Sequence, residues 1–143
     1  MFSQRIRNVM ERRKRLVAPP ETSVSAAAKL MAKKNVGAVM VVDQERLVGI
    51  FTERDAVFRV IAQGRNPHTT RLAEVMTVSP QTVSPNESFG HALLMMHENG
   101  FRHVPVIENG APIGIVSSRN ALDPELEEFV SEAQRRLHIR QHA

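Results

Sequence analysis

The 143-residue chain is long enough for one compact domain, or for two small halves that share a core, but two independent domains of this size would be hard to stabilise. It contains no cysteine, which excludes disulfide bonds and thiolate chemistry and favours a reducing compartment, so we expect a cytoplasmic protein. Its apolar runs are too short for a transmembrane helix, and the lack of Trp and Tyr disfavours stacking on unpaired nucleic-acid bases.

The net charge of +4 is concentrated in the N-terminal segment, whose basic residues are Arg5, Arg7, Arg12, Arg13, Lys14 and Arg15. Such a segment can attract nucleic acid or anionic lipid, but a solvated helix face is the more common role of clustered charges. The segment also resembles a mitochondrial presequence, because it is rich in arginine and has no acidic residue before Glu11. A targeting role therefore stays open beside the cytoplasmic interpretation.

The sequence repeats itself with a constant offset. Gly49-Ile50 in the first copy corresponds to Gly114-Ile115 in the second, and Arg54 corresponds to Arg119. Upstream, the letters NVM before the first copy correspond to EVM before the second, with one residue inserted in the first. This pattern predicts three parts, namely repeat 1 at residues 5–65, repeat 2 at residues 70–123, and a C-terminal helix at residues 124–143.

In repeat 1, apolar residues at helical spacing predict a helix whose buried side consists of Val24, Ala27, Ala28 and Met31. Two short β-branched runs, residues 38–42 and 47–51, then predict a pair of strands. A second helix is expected to begin at Glu53 and to end near Gln63, because Gly64 suits the left-handed position that follows a helix.

Repeat 2 shows the same order of elements, beginning with a helix whose buried side consists of Phe89, Ala92, Leu93 and Met96. Its strands are predicted at residues 104–107 and 113–116, joined through Asn109-Gly110, a favoured dipeptide for a tight hairpin. Neither half can bury both sides of so small a sheet alone. We therefore expect an α+β fold in which two pseudo-symmetric strand-helix-strand-strand-helix repeats pack together.

The last segment predicts an amphipathic helix. Asp123 can cap it, Pro124 suits its first position, and its apolar stripe consists of Leu126, Phe129, Val130, Ala133 and Leu137. This helix could cover the core of the protein, form the seam of a dimer, or dock a partner protein. Of these we favour the dimer seam.

The order of elements, the VM lead-in and the stretch Gly49-Ile50-Phe51-Thr52-Glu53-Arg54-Asp55-Ala56 resemble a tandem pair of CBS domains, also called a Bateman module. The stretch FRHVPVIENGAPIGIVS, residues 101–117, is similar to the second copy of that family. The resemblance covers roughly residues 5–123. It implies a pseudo-twofold module with clefts that bind adenosine nucleotides such as AMP, ATP or NAD, and a tendency to form disc-like homodimers.

The chemistry of a first site can be argued from the residues. Thr52 lies where a strand passes into a helix, so its hydroxyl can cap the helix at a corner that favours an anion. Arg54 could add a positive charge for a phosphate. The Asp55 carboxylate offers two acceptor oxygens, which match the two hydroxyl donors of a ribose 2′,3′-diol. Ala38 and Val39 are small and apolar enough to flank a purine.

The equivalent residues of repeat 2 predict a second site, made of Ser117, Arg119, Asn120, Val104 and Pro105, with Thr82, Arg102 and His103 at its edge. Here Asn120 replaces the carboxylate of repeat 1 and accepts from only one ribose hydroxyl. The loss should cost roughly 1 kcal/mol or more where the group is desolvated, which is about a tenfold change in affinity. In the alternative interpretation, Thr52-x-x-Asp55 and its counterpart are capping boxes, Asn120 caps as well as Asp would, and both clefts are empty.

Several types of site have no support in the sequence. It lacks a Walker loop, a nucleophile elbow and a clustered acid pair, so we expect no enzymatic activity and no required cofactor. His91 and His97 are six residues apart and cannot share a metal ion on one helix face.

Two functions stay open for the whole chain. The favoured one is a regulatory module that binds an adenine nucleotide and transmits its occupancy through a homodimer or to a regulated protein partner. The alternative is a protein-interaction or nucleic-acid-binding module that uses the basic N-terminus and has unoccupied clefts, although the composition disfavours nucleic acid as the partner.

Overall fold

The structure is a computed structural model that describes residues 2–10, 15–121 and 132–140. Repeat 1 and its flanking segments contain α1 (Ile6–Val9), β1 (Val17–Ala18), α2 (Val24–Lys34), β2 (Ala38–Asp43), β3 (Arg46–Thr52) and α3 (Glu53–Asp55). Repeat 2 and the segment before it contain α4 (Leu72–Val75), β4 (Thr77–Val78), α5 (Phe89–Asn99), β5 (His103–Glu108) and β6 (Ala111–Ser117). A 3₁₀-helix, Ser118–Ala121, follows β6. The α+β class and the two repeats are thus confirmed.

The strands form one sheet in each repeat. In repeat 1 the order is β1-β2-β3-β4, in which β1 and β2 are parallel and the other neighbours are antiparallel. In repeat 2, β5 and β6 form an antiparallel pair, and Val83 bridges Val106 in parallel as Ala18 pairs with Val41 in repeat 1. The predicted hairpin at Asn109-Gly110 is confirmed, since both residues have the positive φ that a tight hairpin turn requires.

The first helices of the two repeats, α2 and α5, begin and end in the same way. The side-chain oxygens of Ser23 and Ser88 accept hydrogen bonds from the backbone three residues ahead, at 3.1 and 3.2 Å. Asn35 and Gly100 end the helices in the left-handed conformation. The predicted buried sides are confirmed except at Leu93, which is partly buried against the core of repeat 2, and at Ala28, which is exposed because it lies beyond the edge of the stripe that faces the sheet.

The second helix of repeat 1 differs from the continuous α-helix predicted between Glu53 and Gln63. After α3 the chain continues as a π-helix over Ala56–Ile61, and the Ala62 N–H donates to Val57 O at 2.8 Å. A π-helix places its side chains at a wider spacing, and single turns of it are often found at functional sites. Gly64 follows with a φ of 68°, as predicted.

The two lead-in segments are exchanged between the repeats. Ile6 and Met10, in the lead-in of repeat 1, pack into the core of repeat 2, whereas Leu72 and Val75, in the lead-in of repeat 2, pack into the core of repeat 1. Backbone hydrogen bonds hold each segment in place, for example from the Ile6 N–H to Glu87 O at 2.9 Å. Each repeat therefore needs a segment of the other to close its core.

This exchange also explains a glycine of the repeated motif. A Cβ on Gly49 would overlap the Met76 side chain and lie 3.0 Å from the carbonyl oxygen of Thr77, both in the lead-in of repeat 2. Only glycine allows β3 and β4 to approach so closely.

The C-terminal segment is helical over residues 132–140, which agrees with the described part of the helix predicted at 124–143. Glu132 and Arg136 pair one turn apart at 3.6 Å. Leu137 is exposed, and the predicted stripe residues Leu126, Phe129 and Val130 lie outside the described residues. The dimer seam predicted on this helix stays a prediction.

Candidate functional site

The two repeats meet through three buried side chains. Ile50 on β3 and Ile115 on β6 are equivalent positions of the repeats, and they form one apolar cluster with Ala38 on β2. This contact brings the end of β3 and the end of β6 close together, with the polar junctions Thr52–Asp55 and Ser117–Asn120 just beyond it. Two cavities lie beside the cluster, and each combines the strand-to-helix junction of one repeat with the hairpin strands of the other.

The larger cavity, of about 370 Å³, is called here the Asp55 cavity. Repeat 1 contributes Ile50, Thr52, Arg54, Asp55, Phe58 and Arg59 to it, and the other side consists of Thr77, Ser79, Pro80, Gln81, Phe101 and His103. The cavity thus combines an acceptor carboxylate, two arginines and two aromatic rings. Apolar walls with a few convergent polar groups are typical of small-molecule sites.

The second cavity, of about 270 Å³, is called here the Arg119 cavity. It is lined by Asn35, Val36, Gly37, Ala38 and Glu53 from repeat 1 and by Arg102, His103, Ile115, Ser117, Ser118 and Arg119 from repeat 2. Its apolar walls are aliphatic, and its described cations, Arg102 and Arg119, outnumber its one carboxylate. It therefore has the same balance of two arginines and one carboxylate as the Asp55 cavity, but no Phe is among its described lining residues.

The Thr52–Asp55 junction is a complete capping box. Asp55 Oδ2 accepts from the Thr52 N–H at 3.0 Å and from the Thr52 hydroxyl at 3.2 Å, and the Thr52 Oγ1 accepts from the Asp55 N–H at 3.2 Å. The other oxygen of Asp55, Oδ1, faces Arg59 Nε at 3.5 Å. Since the cap uses Oδ2, Oδ1 is the Asp55 oxygen better placed to accept from a ligand.

The Ser117–Asn120 junction repeats the same cap with a neutral side chain. Asn120 Oδ1 accepts from the Ser117 N–H at 2.7 Å and from the Ser117 hydroxyl at 3.3 Å. The partner of Asp55, Arg59, has Pro124 as its counterpart in the repeat alignment, so the second copy offers no cation at this position. Asparagine therefore reproduces the cap where no arginine follows, and this is a structural reason for the difference between the two copies.

Arg54 lies across an aromatic ring. Its guanidinium carbon is 4.9 Å from the centroid of Phe58, which is a cation–π distance, and both side chains line the Asp55 cavity. The ring holds the arginine at the edge of the cavity, where its charge is available to an anionic group.

His103 lines both cavities. Burial lowers the pKa of its imidazole, the Glu53 carboxylate partly opposes this change, and Arg119 and Arg102 lower the pKa further. The ring is consequently neutral at neutral pH in the ligand-free protein. A Cβ on Gly37 would lie 2.8 Å from Glu53 Oε1 and 3.4 Å from His103 Cε1, so this glycine leaves the space that both side chains approach.

The structure places some of the predicted site residues on the cavity walls and others elsewhere. Of these, the two cavities bring together Ala38, Thr52, Arg54, Asp55, Arg102, His103, Ser117 and Arg119. Val39 and Val104 instead lie in the two hydrophobic cores, because neighbouring residues of a strand point to opposite faces. Pro105 and Asn120 are buried beside the cavities and Thr82 is exposed, and these three residues line neither cavity.

Other lining residues were not predicted. Phe101 precedes the predicted Arg102 and His103 in one stretch, so its aromatic character was a usable signal. Glu53, Phe58 and Gly37 gave no such signal, because their positions depend on how the two repeats pack.

Among residues 2–10, 15–121 and 132–140, the structure contains no group of three or more His, Asp or Glu side chains arranged to hold a metal ion. Within the same ranges, no helix has both the length and the apolar character needed to cross a membrane.

Comparison with known proteins gives consistent matches over most of the chain. The sequence profile of the CBS domain matches residues 6–62 and 72–124. The mitochondrial CBS domain-containing protein CBSX3 of Arabidopsis thaliana is 37% identical over 120 residues, which cover 80% of this chain and 58% of that protein. Two further curated relatives are longer still, and this chain spans 17% and 20% of their lengths.

Solved structures share the fold. An uncharacterized conserved protein from Pyrococcus horikoshii superimposes with a TM-score of 0.80 and 30% identity, over 87% of this chain and 94% of that one. A CBS domain protein from Pyrobaculum aerophilum complexed with AMP superimposes with a TM-score of 0.74 and 25% identity, over 82% of this chain and 89% of that one.

The capping geometry predicts how substitutions at Asp55 affect stability. Asp55→Ala removes the acceptor of the Thr52 N–H and should lower the free energy of unfolding by about 1–2 kcal/mol. Asp55→Asn should lower it by less than about 0.5 kcal/mol, because an asparagine oxygen makes the same cap in repeat 2 and the lost partner, Arg59, is half exposed. Urea unfolding measures both changes.

The equivalent position in repeat 2, Asn120, provides the control. Asn120→Ala should cost about as much as Asp55→Ala, since both remove the cap acceptor. If Asp55→Asn were as destabilising as Asp55→Ala, the charge of Asp55 rather than its cap would be the main contribution.

Proposed function

Because this chain belongs to the CBS domain family, we propose that it is a regulatory module that binds an adenine nucleotide between its two repeats. The observation that supports this most strongly is the composition of the Asp55 cavity. It holds a carboxylate oxygen outside the capping bonds, two arginines and an apolar wall within one space of about 370 Å³. A nucleotide presents the matching groups, namely a diol, a phosphate and a flat apolar base.

In this proposal the ribose hydroxyls donate to Asp55 Oδ1, and the purine lies against the apolar side chains of Ile50 and Phe101. Arg54, held over the Phe58 ring, and the imidazole of His103 lie on the same cavity and suit the phosphate. The AMP complex of the Pyrobaculum aerophilum protein, which has the same fold, supports an adenosine ligand. AMP, ATP and NAD are the three candidates.

The Arg119 cavity is proposed as a second and weaker nucleotide site. Its junction carries Asn120 in place of the carboxylate, and Asn120 is buried in the cap rather than exposed on the cavity wall. At this junction a ribose meets the hydroxyls of Ser117 and Ser118 instead of a carboxylate, since the one described carboxylate of the cavity, Glu53, belongs to repeat 1. Exchange of a charged for a neutral acceptor lowers affinity by about tenfold.

The alternative function, based on a free basic N-terminus, is disfavoured by two contacts. Arg7 pairs with Glu108 at 2.6 Å, and Arg15 donates to Pro112 O at 2.9 Å. Both arginines are therefore used to hold the N-terminal segment on repeat 2. A nucleic-acid backbone would have to displace them from these partners.

Transmission of the signal is proposed to involve a homodimer or a regulated protein partner. The π-helix exposes three apolar side chains, Val57, Phe58 and Ile61, which are 50%, 56% and 72% exposed. Because Phe58 also lines the Asp55 cavity, a partner on this face would sense whether the cavity is filled. If the homodimer forms through this face, Ile61→Glu should convert it to a monomer in sedimentation equilibrium, whereas a dimer held by the C-terminal helix would persist. A wild-type monomer would contradict the homodimer.

Ligand binding can be tested by thermal melting with AMP, ADP, ATP, NAD and S-adenosylmethionine. A ligand bound by the native state stabilises it by about 2.7 kcal/mol at a hundredfold excess over its dissociation constant. Asp55→Asn should weaken binding by about tenfold and so cut this stabilisation to about half, because an amide at this site places an NH₂ donor where the ribose needs an acceptor. The same variant keeps the cap, so its own stability stays near that of the wild type.

As a control, Asn120→Asp should strengthen ligand binding in the Arg119 cavity and leave the response of the Asp55 cavity unchanged. Two results would contradict the proposal. One is the absence of any shift with all five ligands, and the other is an equal shift in the wild type and in Asp55→Asn.

A further inference from the structure

One side chain belongs to both cavities. Among the described lining residues, His103 is the one that the Asp55 cavity and the Arg119 cavity share. Its counterpart in repeat 1 is Ala38, which lines the Arg119 cavity only and cannot carry a charge. The pseudo-symmetry of the two repeats is therefore broken at the wall between the cavities, where a single titratable ring stands.

Charged groups approach this ring from every element around it. From repeat 1, Glu53 comes from α3, and from repeat 2, Arg102 comes from the loop before β5 and Arg119 from the 3₁₀-helix. On the side of the Asp55 cavity, the charged lining residues are Arg54, Asp55 and Arg59. Arginines thus outnumber carboxylates around the ring. Burial, together with Arg119 and Arg102, lowers the pKa of His103 more than Glu53 raises it, so the ring is neutral at neutral pH.

We propose that His103 couples the two cavities: a phosphate-bearing ligand in one cavity favours the imidazolium, and the imidazolium then strengthens the binding of a phosphate-bearing ligand in the other. This inference rests on the proposed nucleotide function. The proton is taken up from solvent, one for each His103, and no covalent step is involved. The occupant is defined by its anionic phosphate, so the coupling extends to any adenine nucleotide that places its phosphate near the ring.

The sign of the pH dependence follows from linkage. If the phosphate raises the pKa of His103, affinity rises as the pH falls through the pKa of the liganded form and levels off below the pKa of the free form. Because burial keeps the pKa of the free form below its ordinary value, the gain occurs on the acidic side of neutrality. Coupling between the cavities is reciprocal, and it is largest between the two pKa values.

The experiment is isothermal titration calorimetry of AMP into the full chain at about pH 6, 7 and 8, in two buffers with different ionisation enthalpies. The variants are His103→Gln and the control His91→Gln, whose histidine lies on α5 and is half exposed beside Glu87. The titrations are repeated with ATP and NAD. Comparison with His103→Gln removes the contribution of the nucleotide's own phosphate, which titrates in the same range.

We expect the wild type and His91→Gln to gain about tenfold in AMP affinity between about pH 8 and about pH 6 relative to His103→Gln. They should also take up more protons per AMP than His103→Gln and bind the second AMP more tightly than His103→Gln does. Glu53→Gln should move the gain to lower pH, because it removes the carboxylate that raises the pKa of His103. This second variant keeps the test valid if His103→Gln folds poorly.

Equal pH dependence and equal proton uptake in the wild type and His103→Gln would overturn the coupling while leaving the nucleotide site intact. Binding of a single AMP with no second event would also overturn it. If AMP, ATP and NAD all fail to bind at every pH, the proposed function falls together with the inference. An NMR titration of the His103 ring with and without AMP separates these cases, because the coupling requires bound AMP to raise the pKa of the ring.

Discussion

The contact between Ile50, Ile115 and Ala38 is the feature on which the rest of the structure depends. It is a small apolar cluster, but it brings the ends of two equivalent strands together and so places two polar junctions beside two cavities. The exchange of lead-in segments makes this arrangement obligatory, because side chains from the lead-in of each repeat complete the core of the other. Neither repeat can close its core without the other, and the cavities exist only in the closed pair.

The same residues serve the fold and the proposed site. In repeat 1, one oxygen of Asp55 closes the cap while the other faces Arg59, and both residues line the cavity. In repeat 2, Asn120 keeps the cap, and its position offers neither a charge nor a following arginine. The Asp55 carboxylate can therefore cap the helix with one oxygen and accept from a ligand with the other. The single oxygen of Asn120 is already used by the cap. The two copies share a structural role, and we propose that only the first also holds the ribose strongly.

Sequence predicted what depends on near neighbours. The strand pairs, the Asn109-Gly110 turn and the Thr52–Asp55 cap follow from short patterns, and the structure contains all three. The burial of Val39 and Val104 in the cores could also have been predicted from the sequence, because side chains alternate along a strand and Ala38 and Val39 must therefore point to opposite faces. The exchange of lead-ins, the π-helix after Asp55 and the shared wall at His103 arise from packing between distant segments, which a repeat read along the chain does not reveal.

The central claim is that an adenine nucleotide lies in the Asp55 cavity with its ribose on the carboxylate. The most direct measurement is a crystal structure of the protein grown with AMP, ATP or NAD. We expect electron density for the nucleotide between the repeats, with the ribose hydroxyls within hydrogen-bond distance of Asp55 Oδ1 and the phosphate on the side of His103. A nucleotide bound away from Asp55, or an empty cavity at saturating nucleotide, would contradict it.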